Sequence, residues 1–134
     1  MEYSTVIEII KKCIVTDLGC SSYKMDDDNL IFTCNSVTYV CVYVKNEPNY
    51  LRVVVPNIDS IEHITTTETY EKILRLNAKY KNVKFTIVNN SLWISSEIFL
   101  TGSDVITEAF VTMVKLLEIM RGEYAKILEK PASV

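Results

Sequence analysis

Ile7, Ile10, Cys13, Ile14 and Leu18 recur at the three-and-four spacing of one helical face, while Lys11, Lys12 and Thr16 take the wet side. Thr5-Val6-Ile7-Glu8 has the T-x-x-E form of a capping box, so a first amphipathic helix is expected over roughly 5–18, ending at Gly19. Asp26-Asp27-Asp28-Asn29 reads as a polar turn, and 30–34 is rich in strand formers. A turn at Asn35-Ser36 sets Phe32 opposite Tyr39 and Leu30 opposite Cys41, with 37–44 as the return strand. Lys45-Asn46-Glu47-Pro48-Asn49 then turns the chain into 50–55, completing a three-stranded meander. In its middle strand Val40, Val42 and Val44 alternate with Tyr39, Cys41 and Tyr43, so both faces are apolar. One layer of helices shields only one of them, and the other calls for a second cover.

The stretch 56–67 reads as a crossover, with Thr65-x-x-Glu68 as a second capping box. Tyr70, Ile73, Leu74, Asn77 and Tyr80 mark a helix over about 67–80. A two-residue turn at Asn89-Asn90 pairs Ile87 with Leu92 and Phe85 with Ile94, because Asn accepts the left-handed conformation that such turns need. Thr86 and Trp93 fall on the opposite face, which points the single tryptophan away from the main core. Ile98 and Leu100 extend that strand. Gly102-Ser103-Asp104 supplies a loop and N-cap for the strongest periodic signal, the stripe Ile106, Ala109, Phe110, Met113, Val114, Leu117, Met120. Gly122 ends or bends this helix, and Pro131 limits any continuation. The expected order is α-β-β-β-α-β-β-α: one α+β domain over 1–134, an antiparallel sheet with helices on one face.

Composition narrows the reading. At 134 residues, 49% hydrophobic and 23% charged, with 3 Gly and 3 Pro, the chain is far from disordered composition. Its apolar runs fall short of the roughly 20 residues of a membrane helix, and the start Met1-Glu2-Tyr3-Ser4 lacks signal-peptide character, so a cytoplasmic location is expected. A net charge of -3 argues against general nucleic-acid binding, which rests on cationic contacts to phosphate.

The candidate chemistry is sparse. Cys13, Cys20, Cys34 and Cys41 match neither a C-x-x-C motif nor a zinc ribbon, and are expected as reduced, buried thiols. Asp26–Asp28 lacks the alternating ligands, glycine and distal Glu of a calcium loop. His63, with Asp59 and Glu62 nearby, has no recognisable nucleophile to activate. The basic stretch Lys72, Arg75, Lys79, Lys81 and Lys84, interleaved with Tyr80 and Phe85, reads foremost as a solvated face, with an acidic protein segment or phosphates as alternatives. No catalytic, cofactor or metal residue is assigned.

Ile73-Leu74-Arg75-Leu76-Asn77, Val83-Lys84-Phe85 and Leu92-Trp93-Ile94, followed by the long last helix, resemble the YbjN-type family. That family is described as bacterial sensory transduction regulators with the fold of type III secretion chaperones. Leu76-Asn77 and Lys84-Phe85 match its pattern in kind, whereas Lys79 to Lys81 stand where a second Asn belongs. The resemblance implies a dimeric, non-catalytic protein-binding or regulatory domain. On this reading the interface residues are Trp93, Thr86, Tyr39 and Tyr43, in a homodimer that also meets an unknown protein partner, without cofactor or membrane. The competing reading is a small-molecule binder or small enzyme with a pocket between sheet and helices, lined by residues such as Tyr39, Tyr70 and Phe110.

Overall fold

The computed structural model describes residues 1–20, 22–44, 46–47 and 49–129. Its strands are β1 (Tyr23–Asp26), β2 (Asn29–Cys34), β3 (Val37–Val42), β4 (Tyr50–Ser60), β5 (Val83–Val88) and β6 (Ser91–Phe99). They form one sheet in the order β1-β2-β3-β4-β6-β5, every neighbouring pair antiparallel. Both expected hairpin registers are present: Phe32 faces Tyr39 and Leu30 faces Cys41, and Phe85 faces Ile94 and Ile87 faces Leu92. Asn35, Ser36, Asn89 and Asn90 all have positive φ, the conformation in which a two-residue turn matches the twist of its strands.

The sheet gains a strand that the sequence pattern hides. β1 pairs with β2 through a turn at Asp27-Asp28, so the acidic run is the corner of a hairpin and the meander has four strands, giving α-β-β-β-β-α-β-β-α. β3 ends at Val42, two residues short of the expected limit, and of the turn after it Lys45 and Pro48 lie outside the described residues. β4 also differs. Instead of leaving the sheet at Pro56 it resumes pairing at Asp59 opposite Leu92, after an irregularity between Val55 and Asp59. Pro56 has no N–H to donate and Asn57 takes φ 53, so the pair bulges there and the strand continues past it.

Helix α1 (Tyr3–Lys12) continues as a π-helical turn (Cys13–Asp17). Its N-cap is Glu2, without a side-chain cap, so the Thr5 capping box is not used. At its far end Gly19 takes φ 68, and the Cys20 N–H reaches back six residues to the Ile14 carbonyl at 2.9 Å, closing the π-helical turn behind a left-handed glycine. Helix α2 (Thr67–Lys79) is capped by Thr66, not Thr65: the Thr69 N–H donates to Thr66 Oγ1 at 3.2 Å. A 3-10 turn at Ser103–Val105 leads into α3 (Ile106–Leu128), which runs through Gly122 without a break. Pro131 lies outside the described residues.

The helices pack on one side of the sheet. Val6, Ile10 and Ile14 of the first helical segment, Ile73 of α2 and the α3 stripe Ile106, Phe110, Met113, Leu117, Met120 and Tyr124 meet Leu30, Phe32, Tyr39, Cys41, Leu51, Val53, Phe85 and Ile94 in one core. Each fully buried aliphatic of that set contributes about 1.5–3 kcal/mol. Two of the four cysteines depart from the expectation of reduced thiols. Cys20 and Cys34 form a disulfide, their Cα atoms 5.3 Å apart, which ties the segment after α1 to the end of β2. Cys13 and Cys41 are buried free thiols, and complete burial pushes Cys41 up to about 12, far from reactive thiolate.

Candidate protein-interaction surface

Strand alternation decides which side chains the sheet turns away from the helices. On this outer face one row crosses all six strands through paired positions: Lys24, Ile31, Val40, Val54, Ser95 and Lys84. Its centre is apolar and its two ends are lysines, an arrangement that keeps edges wet while the middle stays greasy. Val54 is buried although it stands outside the helix-covered core. Beside the row Arg52 meets Glu97 across β4 and β6 at 3.5 Å. Phe99, at the end of the same face, is 73% exposed, against Tyr50 with ring centroids 5.5 Å apart.

Trp93 and Thr86 face each other on this outer side, as the hairpin register requires. Trp93 is half-buried, and its Nε1–H donates to Asn57 Oδ1 at 3.2 Å. The β4 bulge is what turns Asn57 towards the indole. Thr86 Oγ1 and Ser95 Oγ are shut off from water without a hydrogen-bond partner among the described residues. Buried hydroxyls normally find partners, so two orphans on one face mark it as unusual.

Tyr39 and Tyr43, expected at the interface, are placed elsewhere. They are 2% and 1% exposed on the helix-covered face, with Tyr39 stacked on Phe32 at 5.1 Å. β3 is apolar on both sides, so its composition cannot say which side the helices take; the larger aromatic set goes to the core and Val40 and Val42 stay outside. The expected pocket of Tyr39, Tyr70 and Phe110 does not assemble either. Tyr39 and Phe110 are core residues, whereas Tyr70 borders a groove between α2 and β5. That groove, of about 250 Å³, is lined by Ile73, Leu74, Phe85, Ile87 and Leu92, with Leu74 64% and Ile87 58% exposed.

Asp59, just past the bulge, gathers a polar cluster. Its Oδ1 lies 2.7 Å from His63 Nδ1 and accepts the Ser60 N–H at 2.8 Å, and its Oδ2 accepts the Tyr124 hydroxyl at 2.5 Å. Burial pushes the Asp59 carboxyl up, but the bonds from Tyr124, His63 and the Ser60 amide outweigh it and hold the group below the usual carboxylate range. The Tyr124 phenol is pushed up, first by burial and then by the carboxylate it serves. A phenol held neutral makes a poor nucleophile, and the cluster reads as a clasp between α3 and β4. Asp59 was legible in the sequence as a neighbour of His63, whereas Asn57 and the hydroxyl of Tyr124 carried no signal of this cluster.

The basic stretch is divided between α2, which carries Lys72, Arg75 and Lys79, and β5, which carries Lys84. Lys72 pairs with Glu68 at 3.3 Å, Lys79 lies 5.3 Å from the Tyr80 ring centroid, and Lys84 is on the outer face of the sheet. Among the described residues no cluster of three His, Cys, Asp or Glu is placed to hold a metal ion, and no helix is long and apolar enough to cross a membrane.

No family model matches the chain, and no curated protein is significantly similar to it in sequence. Solved structures are similar in fold. A chain of the ExsC–ExsE complex superposes with a TM-score of 0.67 at 14% identity, covering 99% of this chain and 100% of that one. The Yersinia pestis type III secretion chaperone SycH, in complex with a stable fragment of YscM2, gives 0.60 at 12% identity, over 89% and 95% of the two chains. An uncharacterized protein from Methanothermobacter thermautotrophicus gives 0.59 at 15% identity, over 91% and 99%. The α+β fold of this chain is therefore the one that the type III secretion chaperone SycH also has.

Proposed function

We propose that this chain is a non-catalytic, chaperone-like module that binds a segment of another protein and works as a homodimer, one domain per subunit and without a cofactor. The observation that carries this reading is the outer face of the sheet. A six-stranded sheet with an apolar central row, two orphaned hydroxyls and a half-buried tryptophan, left without a helical layer among the described residues, is surface suited to a protein. Trp93 and Thr86 sit in it as its interface residues, whereas Tyr39 and Tyr43 are buried in the core and take no part.

Fold likeness alone does not fix function. It does agree with the surface: SycH and the ExsC–ExsE pair were each solved as complexes of two proteins. The narrower kinship with YbjN-type regulators rests on Leu76-Asn77 and Lys84-Phe85. Sedimentation of the unmodified protein tests the reading. A mass of two chains that stays constant across concentration is expected, with Trp93→Ala moving it towards one chain. A constant single-chain mass for the unmodified protein removes the homodimer, and with it the role assigned to the outer face.

A further inference from the structure

Among the described residues β5 is the terminal strand of the sheet, so one side of its backbone faces no other strand. In an antiparallel strand the N–H and C=O of a residue point the same way and successive residues alternate, so Val83, Phe85 and Ile87 share the open side. The segment Val-Lys-Phe-Thr-Ile-Val is six residues of strand formers with one charge and neither Pro nor Gly. Such an edge is a template for another chain.

One side chain stands on that template. Asn77, in the last turns of α2, accepts the Phe85 N–H through Oδ1 at 2.7 Å and donates from Nδ2 to the Phe85 carbonyl at 3.2 Å. These are the two bonds that a facing residue of a neighbouring strand would exchange with Phe85. A carboxamide at this reach is required: aspartate has no donor, leucine has neither group, and glutamine is one carbon longer. Burial of Ile73 one turn earlier seats α2 along the strand. Exposed Leu74 and Ile87 flank the position, so an opened edge would also offer apolar contacts.

We propose that Asn77 closes the β5 edge: its carboxamide stands in for a seventh strand and keeps a second copy of this chain from adding there, β5 against β5. The contact is a built-in guard on self-association, independent of any partner on the outer face.

Hydrogen exchange and sedimentation test it together. In the unmodified protein the Phe85 amide should exchange at least about tenfold more slowly than those of Val83 and Ile87. Asn77→Ala should lose that protection and show a mass that rises with concentration above that of the unmodified protein, and adding Ile87→Lys should bring the mass back. Asn77→Asp, which keeps the acceptor and loses the donor, should fall between and serves if Asn77→Ala does not fold. Ile73→Ala weakens the seat of α2 and keeps the carboxamide, so it should lose stability without gaining mass. A Phe85 amide as fast as that of Ile87, an unchanged mass for Asn77→Ala, or equal association by Ile73→Ala each overturns the proposal.

Discussion

The hydroxyl of Tyr124 donates to Asp59 Oδ2 at 2.5 Å, joining residues 65 positions apart and fastening the last turns of α3 to the strand that resumes after the β4 bulge. The carboxylate is 13% exposed, so the bond is made largely out of water. Tyr124→Phe keeps the ring packed on Phe85 and deletes only the hydroxyl. It should lower unfolding free energy by about 1.5–3 kcal/mol, the range for a hydrogen bond to a charged group. Urea denaturation checks this; a loss under about 0.5 kcal/mol would show that the bond is replaced by water.

The same pair predicts the pH profile. Asp59 is depressed when folded, so its contribution is present above the ordinary Asp value of 3.8 and is lost as pH falls through the lower folded value. Tyr124 is raised, so its contribution is present below the ordinary tyrosine value of 10.0 and is lost as pH rises beyond it. Asp59→Asn should flatten the acid limb of the urea midpoint against pH. Tyr124→Phe should reduce the slope of the alkaline limb without abolishing it, since Tyr3, Tyr39 and Tyr50 are also raised, chiefly by burial. Unchanged limbs in both variants would refute the assignment.

Redox sensitivity should be confined to one pair. Cys20 and Cys34 are joined across a separation of 14 residues, while Cys13 and Cys41 are buried apart from it. Closing a loop of that size restricts the unfolded chain by about 3 kcal/mol in the chain-entropy account. Cys34→Ser should therefore lose about that much under oxidising conditions and little in reductant. Peptide mapping without reduction should return the 20–34 link alone; a link involving Cys13 or Cys41 would contradict this arrangement.

Core truncation provides the scale. Phe110 is fully buried, with its ring 5.7 Å from that of Phe32. Phe110→Ala should cost about 3–5 kcal/mol, more than Tyr124→Phe, in the same denaturation series.

Local chemistry made much of this fold legible. The Asn35-Ser36 and Asn89-Asn90 turns fixed two registers because side chains alternate with period two and Asn tolerates positive φ. The α3 stripe was readable because one face stays apolar for four turns. What failed needed tertiary information. β1 is a four-residue strand exposed along its length, so burial left no alternation in it to read. β4 passes a proline that usually ends a strand. The side taken by Tyr39 and Tyr43 depends on where helices distant in sequence dock, and the Asp59 clasp, the Cys20–Cys34 bridge and the Asn77 contact join residues whose types alone say nothing of proximity. The outer position of Trp93 followed from register, since Thr86 and Trp93 must share whichever face Phe85 does not.

The chain has 3 glycines, yet eight other described residues take positive φ: Asp27, Asn35, Ser36, Asn49, Asn57, Asn82, Asn89 and Asn90. Most corners of this sheet are thus turned by residues that keep a β-carbon. A glycine there would relieve native strain but widen the denatured ensemble, by about 0.4–1 kcal/mol per site, and the two effects oppose each other. At the Asn35-Ser36 and Asn89-Asn90 corners Asn→Gly should therefore leave the melting behaviour nearly where it was, whereas Asn57→Gly would also forfeit the bond from the Trp93 indole.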